Sequence, residues 1–181
     1  MKYLKTALIL TLIAGFCAAL IASVNMITAP VIEENAKLKK EALCQEIFVD
    51  YDDDTSKTYT EGFESPYITE KIEAYNTNKE FLGYIYTVTG SNTYGKISLL
   101  VGINADNKLE SVKFITNEQS YKAQTENHLD NNYHNDMTLD EINGLDFSKI
   151  EVTSGATYAS KLIRQLVNVA FEDAKGGNNN G

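Results

Sequence analysis

Thr153-Ser154-Gly155-Ala156-Thr157 places hydroxyls and a glycine directly ahead of an amphipathic stretch, Tyr158 to Lys175. The stretch reads as a helix, and Thr157 falls in its first turn. Backbone N–H groups there lack intrahelical acceptors, and the helix dipole presents its positive end, so a phosphate is favoured. Thr153 and Ser154 can cap the helix start through their hydroxyls, while Gly155 permits a tight turn and close backbone approach. The chemistry this suits is anion binding. The alternative is an N-cap cluster ahead of an ordinary core helix.

Other site chemistries fit poorly. His128 and His134 stand six apart in a polar stretch, which is not metal-ligand spacing on a helix, and read as solvated loop histidines. Asp50-Tyr51-Asp52-Asp53-Asp54 lacks the glycine and terminal glutamate of a calcium loop. There is no Cys-x-x-Cys pair, Gly-x-Ser-x-Gly elbow, P-loop or dinucleotide-type glycine turn. Neither a metal site nor a catalytic residue is expected.

The elements that position the threonine follow from periodicity. Leu162, Ile163, Leu166, Val167, Ala170 and Phe171 share one helical stripe, with Lys161, Arg164, Gln165 and Asp173 opposite. Lys71–Tyr75 and Phe81–Val88 read as strands joined by the turn Asn76-Thr77-Asn78-Lys79. Lys96–Ile103 and Leu109–Ile115 flank Asn104-Ala105-Asp106-Asn107, a second hairpin. Val112 and Phe114 alternate with polar neighbours, as a one-sided antiparallel strand does. Asp50–Gly62 and Glu118–Asp136 are polar, lack a clear period and read as loops. The expected fold class is α+β: an antiparallel sheet with flanking helices.

Ala7–Ala29 carries no formal charge and is long enough to cross a bilayer, which needs about 20 residues. Lys2 and Lys5 precede it, and Glu33 and Glu34 come after, so the positive-inside rule puts the N-terminus in the cytoplasm. A cleaved signal peptide competes with a retained anchor, but the apolar run is long and lacks a clean cleavage site. Beyond it, Pro30 is expected to end one helix or begin another. Ile32, Ala36, Leu43 and Ile47 then form the stripe of an amphipathic connector. All 25 Asp and Glu lie after Pro30, so the chain beyond the anchor is more acidic than the net −9 of the whole. Nucleic-acid binding is thereby disfavoured. Cys17 and Cys44 fall in separate segments and are not expected to pair.

Ser154-Gly155-Ala156-Thr157, with Ser160 three residues on, resembles the flavinylation motif of the FMN-binding domain family. That domain occurs in the RnfG-type subunit of the Rnf-type ferredoxin:NAD oxidoreductase and in its counterpart within the sodium-pumping NADH:quinone oxidoreductase. Asn25-Met26-Ile27-Thr28-Ala29-Pro30, with Ile32 and Asn35, resembles the anchor exit of the RnfG-type subunit. Gly90, Tyr94 and Gly95, running into Ile97–Ile103, resemble the family's glycine-rich lead into its central hairpin; for Gly90 a plain turn role serves as well. The family's Glu-Thr-Pro-Gly-Leu-Gly loop near the flavin ring is here Glu118-Gln119-Ser120-Tyr121-Lys122-Ala123, which keeps only the glutamate. Glu151 stands where the family has an aspartate.

The resemblance implies covalent FMN on Thr157 through a phosphoester, placed by a separate flavin transferase, with Thr153, Ser154, Gly155 and Ala156 around it. Tyr121 is placed to stack on an isoalloxazine ring and Gln119 to bond its edge, with Glu118 beside them; surface-loop roles serve equally well. Tyr158 reads as a packing residue. The implied organisation is an anchor over 1–29, a connector helix over 30–49, an FMN-binding domain over 50–175 and a polar tail over 176–181. The implied role is that of a redox subunit, not an enzyme on its own. It would pass electrons among the membrane and redox subunits of an Rnf-type complex coupled to ion translocation. It would be held in the membrane lipid by a single pass, with the FMN domain outside the cytoplasm. The alternatives are a stand-alone flavinylated protein fed by membrane quinol and a cofactor-free tethered binding module.

Overall fold

The alternating runs form a five-stranded antiparallel sheet in the computed structural model, which describes residues 2–145 and 154–177. The strands are β1 (Lys57–Tyr59), β2 (Ile68–Tyr75), β3 (Phe81–Asn92), β4 (Gly95–Asn104) and β5 (Leu109–Asn117), in spatial order β1-β2-β3-β4-β5. Among the described residues four helices accompany them: α1 (Lys2–Ile47), α2 (Lys122–Asn132), α3 (Leu139–Asn143) and α4 (Ser154–Gly177). The chain divides into two units, Met1–Lys40 and Glu41–Gly181.

The first unit is helical. Its apolar side chains, Leu8, Leu12, Phe16 and Ile21 among them, are exposed along the segment. Water does not tolerate so much uncovered apolar surface, whereas a bilayer core does. Thr11, Ser23 and Thr28 each donate a hydroxyl hydrogen bond to the carbonyl four residues back, so their polar groups are satisfied within the helix. Pro30 lies inside α1 and ends no helix, contrary to the sequence expectation. Its missing N–H costs one hydrogen bond, and the helical residues on both sides carry the turn across it.

In the second unit the sheet buries both faces. One face gathers Val88, Ile97, Leu99, Val101 and Val112 against the α4 stripe. Leu166, Val167, Ala170 and Phe171 are fully buried there. Each large apolar side chain so buried contributes about 1.5–3 kcal/mol. Gly90 is not a turn residue. It lies within β3, where a Cβ would come within 2.9 Å of Leu162 Cδ1, so its bareness lets α4 pack closely. The other face gathers Ile72, Ala74, Ile85 and Leu100 against Cys44, Ile47 and Phe48. Of the expected connector stripe, Ile47 is buried and Leu43 packs partly, while Ile32 and Ala36 are exposed.

Both expected hairpins form. Asn76 Oδ1 accepts from the N–H groups of Asn78 and Glu80, and Lys79 takes φ 64°. Asn104 Oδ1 accepts from Asp106 and Lys108, and Asn107 takes φ 56°. Within the expected polar loops the structure instead places β1 and α2. Helix α2 buries Thr125, His128 and Leu129 at helical spacing, a stripe hidden by two polar members. Helix α3 opens with a capping box, Thr138 Oγ1 accepting from Glu141 N while the Glu141 carboxylate accepts from Thr138 N.

His128 is therefore a core histidine, 5% exposed, and not the solvated loop residue expected. Its Nδ1 faces the Asn132 amide at 3.1 Å, and its ring meets Tyr133 edge-on. Burial lowers its pKa from 6.5 to about 4. The unfolded chain thus takes up a proton near pH 6.5 that the folded chain refuses until about pH 4. Stability is unaffected above that window and falls through it on acidification, by roughly 1–2 kcal/mol after discounting for solvent screening. Urea unfolding between pH 7 and 4 should show this slope in the native chain. The slope should be shallower by that amount in His128→Gln, where other carboxylates still titrate.

A Cβ at Gly102 would fall 2.2 Å from Ile47 Cγ2. Gly102→Ala should therefore cost about 1–3 kcal/mol by overpacking, and Ile47→Ala about 2–5 kcal/mol by leaving a cavity. The double substitution should cost clearly less than the two together, because the added methyl fills the emptied space. Urea unfolding of the full chain in detergent measures the cycle.

Candidate functional site

Helix α4 begins at Ser154, so Thr157 is its fourth residue and lies in the first turn, as expected. Thr157 is half-buried. No acidic residue occupies that turn, so nothing there opposes an anion at the positive end of the dipole. Ser154, Gly155 and Ala156 supply the backbone of the turn; their side chains, with Thr153 and Glu151, lie outside the described residues.

The position of α4 is fixed well beyond its first turn. Asp173 Oδ2 accepts from Lys71 Nζ at 2.9 Å and from the Tyr86 hydroxyl at 3.0 Å, tying the helix to β2 and β3. The Lys71 ammonium also sits 4.4 Å from the centroid of the Tyr84 ring. Burial and the adjacent Asp173 carboxylate hold the Tyr86 phenol far above its ordinary pKa, so it stays a donor. Arg164, the sole arginine, donates to the carbonyls of Asn143 and Leu145, and Asn168 Nδ2 donates to Asn143 Oδ1. Sheet and α3 thus grip α4 from two sides.

Beside the start of α4 stands the β3–β4 turn, Asn92 to Gly95. Asn92 Oδ1 accepts from Tyr94 N at 2.8 Å, and Gly95 takes φ 140°. The segment after β5 extends the pairing against it. Glu118 N donates to Lys96 O, and Ser120 N donates to Tyr94 O. Gln119 is buried, and its Nε2 donates to Gly95 O at 2.6 Å. Gln119 Oε1 is enclosed and has no hydrogen-bond partner among the described residues. Glu118 is exposed and contributes through its backbone. Tyr121 forms the N-cap of α2.

Three tyrosine rings meet here. The Tyr94 centroid lies 6.2 Å from that of Tyr121 and 5.7 Å from that of Tyr158. Tyr158 is 56% exposed, so it is not the packing residue expected. Tyr94 is the member that the sequence marks only as part of a glycine-rich lead. The signal available for it was its place in a two-residue hairpin turn, which throws a side chain outward beside the strand ends. Lys161, one helical turn beyond Thr157, holds its Nζ 6.0 Å from the Tyr158 ring centroid.

This is a surface that pairs an anion-accepting helix start with aromatic rings and one buried, unsatisfied acceptor. A phosphorylated planar heterocycle fits that donor and acceptor set. Residues 93–172, which contain the helix start, the three tyrosines and Gln119, match the FMN-binding domain, and residues 2–47 match the RnfG N-terminal region. The chain is an RnfG-like FMN-binding protein. No curated protein matches it closely enough to count as a relative. The two matches support an FMN-binding electron-transfer subunit of an Rnf-type complex, and the apolar α1 supports a single-pass membrane protein.

The close approach at Gly95 is the sharpest local requirement. A Cβ there would fall 2.1 Å from Glu118 O, on a backbone conformation that side-chain-bearing residues rarely adopt. Gly95→Ala in this RnfG-like chain should cost about 1–3 kcal/mol. Gly176→Ala, where a Cβ meets open space, should be close to neutral. Thermal unfolding of the two variants beside the native protein checks both.

Proposed function

We propose that Thr157 carries FMN through a phosphoester bond and that the chain relays electrons between neighbouring redox centres while the complex moves ions across the membrane. The observation that carries this reading is a half-buried threonine in the first turn of α4, with no acidic neighbour in that turn, inside the FMN-binding match. Attachment is assigned to a separate flavin transferase that uses FAD. The Thr157 hydroxyl oxygen takes the FMN phosphoryl group, AMP leaves with the electron pair of the broken pyrophosphate bond, and the hydroxyl proton passes to solvent. The product is a phosphodiester that keeps one negative charge, facing the unpaired N–H groups of the helix start.

Bound FMN supplies the reversible electron chemistry; the protein supplies position and surroundings. Lys161 lies one turn along the helix from the ester oxygen and adds a counter-charge on that side. The Tyr86–Asp173–Lys71 tie and the Arg164 contacts keep α4, and hence the ester, from shifting against the sheet. Lys2 and Lys5 ahead of the apolar segment favour a cytoplasmic N-terminus and an FMN-binding domain on the far side of the lipid. A covalent tether suits that address, because a cofactor lost there has no route back.

Intact-mass and peptide mass spectrometry of membrane-purified protein, from cells that make the transferase, tests the assignment. The native chain should carry an adduct of FMN minus water on the peptide containing Thr157, and Thr157→Val should carry none. A native peptide without flavin, or an adduct that persists in the variant, overturns it.

A further inference from the structure

Tyr94, Tyr121 and Tyr158 come from three separate segments: the β3–β4 turn, the N-cap of α2 and the first turns of α4. Their rings converge within 6.2 Å of one another through Tyr94, yet no pair is stacked. The planes are tilted by 59° and 38°, which leaves aromatic faces that the tyrosines do not cover for each other. Tyr158 keeps more than half its surface uncovered. Aromatic area gathered this way at a surface marks a place where a ligand or partner can bind, and ring faces favour a planar one.

The second observation is Gln119. Its amide nitrogen is committed to Gly95 O, directly beside Tyr94, while its Oε1 is buried without a hydrogen-bond partner among the described residues. A buried acceptor left unsatisfied is destabilising, so a ligand donor there is favoured. The isoalloxazine ring has two aromatic faces and, on its pyrimidine edge, one N–H donor between two carbonyls.

We propose that Tyr94, Tyr121 and Tyr158 form the receptor for the isoalloxazine ring, with Gln119 Oε1 as acceptor for the N–H on its pyrimidine edge. The inference rests on attachment at Thr157, whose neighbour in the chain is Tyr158. The flexible ribityl chain joins the phosphate to the ring, so a ring tethered at Thr157 has the cluster within reach. Gln119 and Tyr121 occupy the stretch where the family's proline-glycine loop is missing, and with Tyr94 and Tyr158 they assign the ring a different kind of seat, made of phenols.

Phenols in contact with an excited flavin quench its emission by donating an electron, and phenylalanine does not. The test uses the full chain in detergent, purified from cells that make the transferase, with attachment at Thr157 confirmed by peptide mass. In Tyr94→Phe/Tyr121→Phe/Tyr158→Phe, emission per attached flavin should rise several-fold over the native protein, while the visible circular dichroism of the flavin is retained. The corresponding triple leucine variant should also lose that dichroism. Gln119→Leu should shift the flavin absorption bands with attachment unchanged. Unchanged emission in the phenylalanine variant, with flavin attached and the native fold intact, overturns the receptor and leaves attachment standing. A native chain without flavin at Thr157 overturns both.

Discussion

Docking of α4 across the sheet is the constraint on which the rest of the FMN-binding unit depends. Thr157 belongs to the same rigid rod as Leu166, Val167 and Phe171, whose burial holds the rod in place. Its location is set by packing several turns away and needs no bond of its own. Gly90 lowers the helix toward β3, Asp173 stops it from sliding along β2 and β3, and Arg164 closes it against α3. Such a division suits a redox carrier, because the distance from cofactor to partner must survive thermal motion. The energy for that precision comes from apolar burial, while the ion pair and carbonyl contacts supply direction.

Strand β4 carries two positions where a missing side chain decides architecture. At Gly102 the sheet admits Ile47 from the end of α1, and at Gly95 it admits the backbone of Glu118 and Gln119. The two faces are thereby used differently. One accepts the end of α1, and the other accepts α4. The site lies at the Gly95 end of β4, where strand pairing gives way to the Tyr94 turn and the start of α2.

Legibility in the sequence follows chemistry that is local. Asn104 and Asn107 announce a hairpin because asparagine bonds its own backbone and tolerates positive φ. The α4 stripe is legible because six apolar residues share one face. Helix α2 is hidden because Thr125 and His128 replace apolar residues in its stripe, and a buried histidine looks polar on paper. Helix α3 goes unread because it is too short to show a period, and its capping box, Thr138 and Glu141, is a pair of residues with no apolar stripe behind it. The role of Gly90 needs the crossing helix to be known, and the Tyr94 cluster needs three segments brought together. Neither is a property of any single stretch. The threonine motif is legible as a motif and the tyrosine setting is not, since motifs are contiguous and surroundings are assembled.

For an acidic protein, the proposed phosphate at Thr157 raises an apparent electrostatic conflict. The net charge of −9 opposes a phosphate anywhere on average. Screening confines that opposition, since exposed charges farther than about 8 Å count for little at physiological ionic strength. What matters is the immediate neighbourhood, and there the first turn of α4 has no carboxylate and Lys161 comes one turn later. Helix-terminal N–H groups and one exposed lysine still amount to a shallow hold, of the order of 1 kcal/mol from the dipole. A free nucleotide bound that weakly would leave. Where the proposed ester forms, retention no longer depends on this balance, so the charges and rings around Thr157 are left to orient the flavin and tune its chemistry. The same acidic surface then keeps nucleic acids and anionic lipid away from an exposed ring without weakening its attachment.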